Sequence, residues 1–379
     1  MRIGLLGYGT VGQGVFELVQ QRGDMRIVKV LSRRPLQLTD AQVVYDYMDI
    51  LSDDTVDTVV ELMGGLHPAR EFIAAALESG KNVVTANKAV MSKYYAELTE
   101  LARKKGVCLR CTAAVGGGIS WLSELERASR VESIRSVGGI LNGTCNFILD
   151  AMTRLGLSYR QALAQAQSLG YAEADPTMDV EGLDTWHKIA LSANIAFQTC
   201  LPMDRICVAG ISNITARDVE EFTKHAMVCK LLATATVVDA RVAAFVQPTL
   251  VSLEEPEAAV PSNYNLITYV GNTSGRHSFF GQGAGRYPTA YNVVQDLVDV
   301  GQGKGFYCTI QGSREISNHP AMCYYVRGEL DSWLRENIQD TWGEGVVTKP
   351  VPVERMHRYL QQHPDSFIAG FGERKVNQC

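Results

Sequence analysis

No apolar run in this sequence approaches the roughly 20 residues that a bilayer-spanning helix needs. The start, MRIGLLGYGT, is briefly basic but has no leader-type cleavage pattern, and its glycines suit another use. Positive charge is in deficit: 36 Lys and Arg stand against 41 Asp and Glu, a net −5, which argues against nucleic acid as a partner. No disulfide framework is legible, because the nine cysteines are odd in number and scattered from Cys108 to Cys379. Free thiols of that kind fit a reducing, cytoplasmic setting. The C-x-x-C at Cys108 and Cys111 has no second pair, so it reads against zinc. The histidines show no metal spacing, and His187 reads as packing or surface. Repeats and low-complexity segments are absent. What is present is an ordinary globular composition over 379 residues, enough for two domains and a small third.

Along the first part, apolar β-branched runs alternate with helical spacing. RIGLLG (2–7), RIVKVLS (26–32), TVDTVVELMG (55–64), NVVTAN (82–87) and VCLRCTAAV (107–115) read as buried strands. Residues 69–80 and 93–106 read as helices, the second closed by lysines and a glycine. Alternation of this kind predicts a doubly wound parallel sheet. Near residue 130 the pattern changes. A strand over 131–141 leads to helices on either side of Gly156, then an acidic stretch, a helix from Asp184, and antiparallel strands in 236–281. GQGAGRYPTAYNVVQDLVDVG (281–301) reads as a glycine turn and a helix, with Thr289 as its cap. The tail reads strand (AMCYYVRG), helix (ELDSWLRENIQD), strand (EGVVTKPV), helix (VERMHRYLQQH) and strand (SFIAGFG), a small α+β module. RKVNQC, at the end, carries no readable chemistry.

GYGTVG (7–12) is G-x-G-x-x-G directly after a strand and opening a helix, the context a dinucleotide fingerprint requires. Gly7 permits the tight turn, Gly9 lets backbone approach a pyrophosphate, and Gly12 lets helix and strand pack closely. The N–H groups from Thr10 and Val11 onward face the phosphates. The second strand ends in VLSRRP, with Arg33 and Arg34 where an acid would read the ribose hydroxyls of NAD. That favours NADP, with NAD still open.

GYAEADPTMDVEGLDTWHK (170–188) packs Glu173, Asp175, Asp179, Glu181 and Asp184 ahead of Lys188. Asp184 and Lys188 are i, i+4 and share a helix face. A charged lysine there is a proton donor to a forming alkoxide, and the spare carboxylates suit an ammonium group. A solvated helix entry has the same composition.

These residues carry a resemblance. Over about the first 305 residues the chain resembles the homoserine dehydrogenase family, through GYGTVG, VVTANKA (83–89), VGGGI (115–119), GGILNGTCNFIL (138–149), LGYAEADPTMDVEGLDTWHK (169–188), ISNIT (211–215) and GAGRYPTA (283–290). The resemblance implies NAD(P)H-dependent reduction of L-aspartate 4-semialdehyde to L-homoserine, on the route to threonine, methionine and isoleucine. It implies Lys188 as proton donor, Asp184 beside it, and Lys88 after Asn87 as a second lysine near cofactor and substrate. Glu173 and Asp179 fall at substrate positions. Gly64, Asn87, Gly170, Glu173 and Gly285 fall beside the cofactor. The implied architecture is a Rossmann-like domain (1–130 with 285–310), an inserted α+β substrate and dimerisation domain (131–284), and a short, degenerate ACT-like tail (311–379). A homodimer or higher homo-oligomer is implied as well.

Two departures stand out. The family's glutamate before VGGGI, part of a monovalent-cation site, is Thr112, and the following proline is Ser120. At most a weak site is expected, on the carbonyls of Val115, Gly117 and Ile119. The tail lacks the Pro-Gly turn of an effector-sensing module, which puts threonine feedback in doubt. One rival reading is an acylating semialdehyde dehydrogenase with Cys145 at a helix N-terminus as nucleophile. Others are a non-catalytic cofactor-binding sensor, or the same chemistry on another amino aldehyde.

Overall fold

The computed structural model describes residues 1–305, 310 and 312–372. RKVNQC (374–379) lies outside them. The chain divides into two compact units: Met1–Ser133 with Leu191–Cys200 and Gly281–Ser313, and Ile134–Ala190 with Leu201–Phe280 and Arg314 onward.

The first unit holds a six-stranded parallel sheet of β1 (Arg2–Leu6), β2 (Arg26–Leu31), β3 (Gln42–Val44), β4 (Thr58–Glu61), β5 (Asn82–Thr85) and β6 (Leu109–Arg110). Their spatial order is β3-β2-β1-β4-β5-β6. β1, β4 and β5 are buried almost throughout, as strands covered on both faces must be. Ile3, Leu5, Val60 and Val84 meet Val15 and Val19 of α1 (Thr10–Gln20) and Val293 and Leu297 of the helix Arg286–Gly301 in one core. The doubly wound α/β expectation therefore holds.

Two local expectations fail. The run 107–115 yields only two strand residues, because Thr112 turns into a 3-10 segment (Thr112–Ala114) and gives its N–H to Asp296 instead of a ladder. Thr289 is not a cap: the helix starts at Arg286 after Gly285, and Thr289 is buried inside it. Pro288 in the first turn needs no N–H donor, so the helix can start that early.

The second unit is built on a larger mixed sheet: β7 (Ile134–Ile140), β8 (Cys207–Val208), β9 (Met227–Val238), β10 (Arg241–Ser252), β11 (Tyr264–Gly271) and β12 (Gly275–Gln282). β9 and β10 form a long hairpin, turning through Asp239 and Ala240, both at positive φ, as a tight hairpin requires. β13 (Ala321–Met322) and β17 (Val351–Pro352) pair separately from β14 (Tyr324–Arg327), β15 (Ile338–Trp342), β16 (Gly345–Thr348) and β18 (Phe367–Phe371).

The tail was expected as a module of its own, but its strands continue the large sheet in the order β10-β18-β14-β16-β15. β18 pairs in parallel with β10 at Thr249 and Leu250. Tyr324, Val326, Met356, Tyr359 and Ile368 share a core with Ala209 and Phe245. Leaving aside the separate β13–β17 pair, the tail's strands and helices follow β-α-β-β-α-β, with β18 beside β14. ELDSWLRENIQD is helical only over Ser332–Glu336; Ile338–Trp342 is strand, turning at Gly343 (φ 56) into β16. The hairpin pairing overrides a helical spacing.

Lys230, on β9, is 2 % exposed, and its Nζ donates to Asn146 Oδ1 (2.9 Å) and Val260 O (2.8 Å). Burial among neutral acceptors pushes its pKa down to about 8. Below pH 8 both folded and unfolded states hold the proton, and folding bears the cost of burying the charge. As pH rises above 8 the native state releases the proton while the unfolded state keeps it, so stability rises with pH. Buried Cys229, pushed up to about 12, works in the opposite sense at higher pH. Urea titrations of wild type and Lys230→Met at pH 7.5 and 9.5 isolate the lysine. Over that window the wild type is expected to gain on the variant by about 2 kcal/mol. A constant gap between the two proteins would contradict this.

Candidate active site

In the first unit, the turn after β1 needs its glycines. Gly7 has φ +95, and a Cβ there would sit 2.9 Å from Leu62 O. A Cβ on Gly12 would meet Gly7 O at 2.3 Å, while Gly9 faces open space. No side chain caps α1. Its first N–H groups and the gap at Gly9 form a cradle with room for a pyrophosphate, so these residues fit a dinucleotide. After β2, Ser32 Oγ ties down Arg34 through its N–H (3.1 Å) and carbonyl (2.8 Å), leaving the Arg33 and Arg34 side chains exposed.

Beside the cradle lies a residue that the sequence reading missed. Glu61, fully buried at the end of β4, accepts from Met63 N (2.8 Å) and Thr85 Oγ1 (2.6 Å). Burial pushes its pKa up, against the pull of these donors. Thr85 Oγ1 accepts from Asn87 N (2.9 Å); Asn87 Nδ2 donates to Gly65 O (2.7 Å), and its Oδ1 caps the helix Lys88–Lys105 at Val90 N (3.2 Å). One carboxylate thus organises the turn with Gly64 and Gly65, both at positive φ, and the start of the helix that Lys88 opens. The one signal in the sequence was an acid closing an otherwise apolar strand, TVVE.

In the second unit, the acidic stretch resolves into separate tasks. Lys188 Nζ lies 2.7 Å from Asp184 Oδ2 and donates to Leu141 O at 2.7 Å. Asn142 Nδ2 donates to both Asp179 Oδ1 (2.7 Å) and Asp184 Oδ2 (2.9 Å), while its Oδ1 caps the helix Gly143–Leu155 at Cys145 N (2.8 Å). Lys188, Asp184 and Asn142 are each under 10 % exposed. A solvated helix entry does not bury an ion pair in this way. Asp175 serves the turn: the hydroxyl and N–H of Thr177 hold its carboxyl below the usual range. Glu181 takes the Ser212 hydroxyl. Glu173 is exposed, and only its backbone carbonyl is engaged, by Gln167 Nε2 (3.0 Å). Gly170 turns at φ +75 with open space around it. Asn142 was missed as well, since nothing in sequence links it to residues 37 and 42 positions later.

Cys145 is no nucleophile. It is fully buried, its thiol donates to Asp179 O (3.1 Å), and burial with the Asp179 and Asp184 charges pushes its pKa well up. At the loop 115–119, Gly117 O accepts from Asn292 Nδ2 (2.5 Å) and Ile119 O from Trp121 N (2.7 Å). Thr112 bonds Asp296 through N (2.7 Å) and Oγ1 (2.6 Å). Two of the three candidate carbonyls are thus already engaged by donors, and Thr112 brings no charge. Among the described residues, no cluster of three His, Cys, Asp or Glu side chains is placed to hold a metal.

A parallel sheet with a glycine cradle on α1, and a buried lysine–carboxylate pair, define an oxidoreductase of the nicotinamide-dependent class. Residues 7–111 match the family model described as the NAD-binding domain of homoserine dehydrogenase, and residues 121–298 match the homoserine dehydrogenase model. A homoserine dehydrogenase of Corynebacterium glutamicum is 40 % identical over 336 residues, covering 84 % of this chain and 76 % of the relative. The chain belongs to the homoserine dehydrogenase family. A crystal structure of the Thiobacillus denitrificans homoserine dehydrogenase matches over 98 % of both chains, at TM-score 0.86 and 29 % identity. A hyperthermophilic archaeal homoserine dehydrogenase, solved in complex with NADPH, shares the fold at TM-score 0.68 and 22 % identity, over 79 % of this chain and 97 % of its own.

Proposed function

We propose that the chain reduces L-aspartate 4-semialdehyde to L-homoserine, reversibly, with Lys188 as proton donor. The observation that carries this is the buried Lys188–Asp184 pair, joined through Asn142 to Asp179. The substrate is zwitterionic: its ammonium suits Asp179 and Glu173, and its carboxylate suits lysine and N–H donors such as Lys88. The nicotinamide, when bound, supplies hydride to the carbonyl carbon. Lys188 gives its proton to the oxygen as negative charge develops there, and Asp184 holds the ammonium in place and keeps a counter-charge beside it. Gly7, Gly9, Thr10, Val11 and Gly12 cradle the pyrophosphate; Gly64, Asn87, Gly170 and Gly285 shape the rest of the cofactor's surroundings. The direct test follows absorbance at 340 nm with L-homoserine and each nicotinamide cofactor. Turnover with homoserine supports the assignment; turnover only with other amino alcohols redirects it to a different aldehyde.

The cofactor is NADP, favoured by Arg33 and Arg34, exposed where an acid would stand for NAD. Arg34→Asp is expected to raise the KM for NADP at least tenfold while changing that for NAD less. Equal changes for both cofactors would contradict a role at the 2′-phosphate.

Asn142→Ala removes the shared donor of two carboxylates. The expected result is a substrate KM raised roughly tenfold or more (about 1.4 kcal/mol per tenfold), with the cofactor KM within twofold. A loss of cap alone would lower the Tm and leave the KM unmoved. No helix among the described residues is long and apolar enough to cross a membrane. A cytoplasmic homodimer fits this reading. Sedimentation equilibrium at the mass of one chain would contradict the dimer.

A further inference from the structure

The glycine loop 115–119 of the first unit has consecutive left-handed residues, Gly116 (φ 82) and Gly117 (φ 51). Positive φ at two successive residues restricts the turn to glycine and leaves its carbonyls to be satisfied outside a regular ladder. In a carbonyl cation site the oxygens replace the ion's hydration shell, so their lone pairs must face the ion. Here Gly116 O, Gly117 O and Ile119 O each already give a lone pair to a hydrogen-bond donor. Asn292, fully buried on the helix Arg286–Gly301, donates Nδ2 to Gly117 O (2.5 Å) and accepts from Ser120 Oγ at Oδ1 (3.0 Å). Gly116 O accepts from Ile119 N (2.8 Å), and Ile119 O from Trp121 N (2.7 Å).

A second set of contacts lies behind the loop. Thr112, where the resemblance expects a carboxylate, donates twice to Asp296, four residues after Asn292 on the same helix. Arg110, 1 % exposed, meets Asp296 (3.0 Å), Asp299 (3.0 Å) and Glu126 (3.4 Å). The guanidinium is thus taken up by three carboxylates, and it fixes Asp296 as the acceptor for Thr112. Thr112 and Ser120, both departures from the family pattern, each donate a hydrogen bond to the helix Arg286–Gly301.

We infer that Ser120 and Asn292 form an internal clamp that holds the glycine loop in place of a bound monovalent cation. The clamp positions more than the loop. Gly118 N donates to Gln282 O (3.0 Å), and a Cβ on Gly117 would stand 2.5 Å from Gly283 O. The loop is therefore pressed against the turn that carries Gly285. Asn292 and Ser120 are positioning residues, since neither is placed at the reacting atoms.

The test is run on the full chain in tetramethylammonium, sodium and potassium chloride at equal ionic strength. A specific cation site would raise the Tm by several degrees in the salt that fills it. The expected result is the same Tm within about 1 °C and, where turnover is measured, the same rate within twofold, in all three salts. A sodium- or potassium-specific gain beyond those limits overturns the inference. Asn292→Ala is expected to lower the Tm by roughly 2–6 °C, equally in each salt, because Gly117 O loses its donor. An unchanged Tm in that variant also overturns the clamp, and if the variant does not fold, the wild-type salt series decides. A chain without homoserine turnover but with equal Tm values in the three salts supports the clamp and counts against the catalytic assignment alone.

Discussion

Lys188→Ala is expected to lower kcat by about 10²–10⁴-fold, the usual worth of a positioned general acid. The expectation rests on position: a buried ammonium held at 2.7 Å by Asp184 and at 2.7 Å by Leu141 O cannot wander as a surface lysine does. Stability must be measured alongside. Removing the lysine leaves Asp184 buried next to Asp179 without a counter-ion, and breaking a buried pair on one side costs about 3–5 kcal/mol. Cofactor affinity in the folded variant separates the two effects. A protein that still binds NADP, with kcat reduced and the cofactor Kd within twofold, has lost the proton donor. Lys188→Arg keeps the charge but not the compact donor, and recovery of less than a tenth of the activity is expected. Full activity in Lys188→Ala would remove Lys188 from the chemistry.

Ending the chain at Ser313 is expected to abolish cooperative folding of the second unit. The deletion strips β18 from the half of β10 around Thr249 and Leu250, leaving an open, apolar sheet edge. It uncovers Phe245 and Ala209, which share a core with Tyr324, Met356 and Ile368. It leaves Asp218 without Arg327 Nε (2.9 Å) and Tyr325 Oη (2.8 Å), and Gln247 without His357 and Tyr324. Asp218 keeps the Thr215 N–H and hydroxyl, and each tail bond lost is worth about 0.5–1.5 kcal/mol, more where a charged group takes part. His357, with its pKa pushed down to about 4 by burial, packs as a neutral ring in this core and is a structural residue. Circular dichroism during heating gives the readout. A truncated protein that melts sharply, within about 5 °C of the full chain, would show the tail to be a dispensable appendage.

How much of this was legible depends on range. GYGTVG and Asp184/Lys188 are local patterns, so their spacing in sequence fixes their spacing in space. The parallel sheet was legible for the same reason, because β1, β4 and β5 are buried on both faces and read as unbroken apolar runs. Asn142 and Glu61 were not. Each acts through a partner far along the chain, and an asparagine before a glycine or a single acid after two valines has many other uses. The tail's elements were mostly legible but their destination was not: strand pairing with β10 leaves no mark that a propensity argument reads. Ile338 to Asp340 read as the end of a helix because the spacing suits one, and the hairpin at Gly343 decides otherwise.

In the proposed reaction the Lys188 ammonium donates the proton to the substrate oxygen. A crystal structure of the wild-type protein with NADP and L-homoserine tests it most directly. Lys188 Nζ is expected within about 3.2 Å of the homoserine hydroxyl oxygen, with the adjacent carbon facing the nicotinamide. A hydroxyl paired with another donor, and Lys188 still engaged only by Asp184 and Leu141, would contradict it.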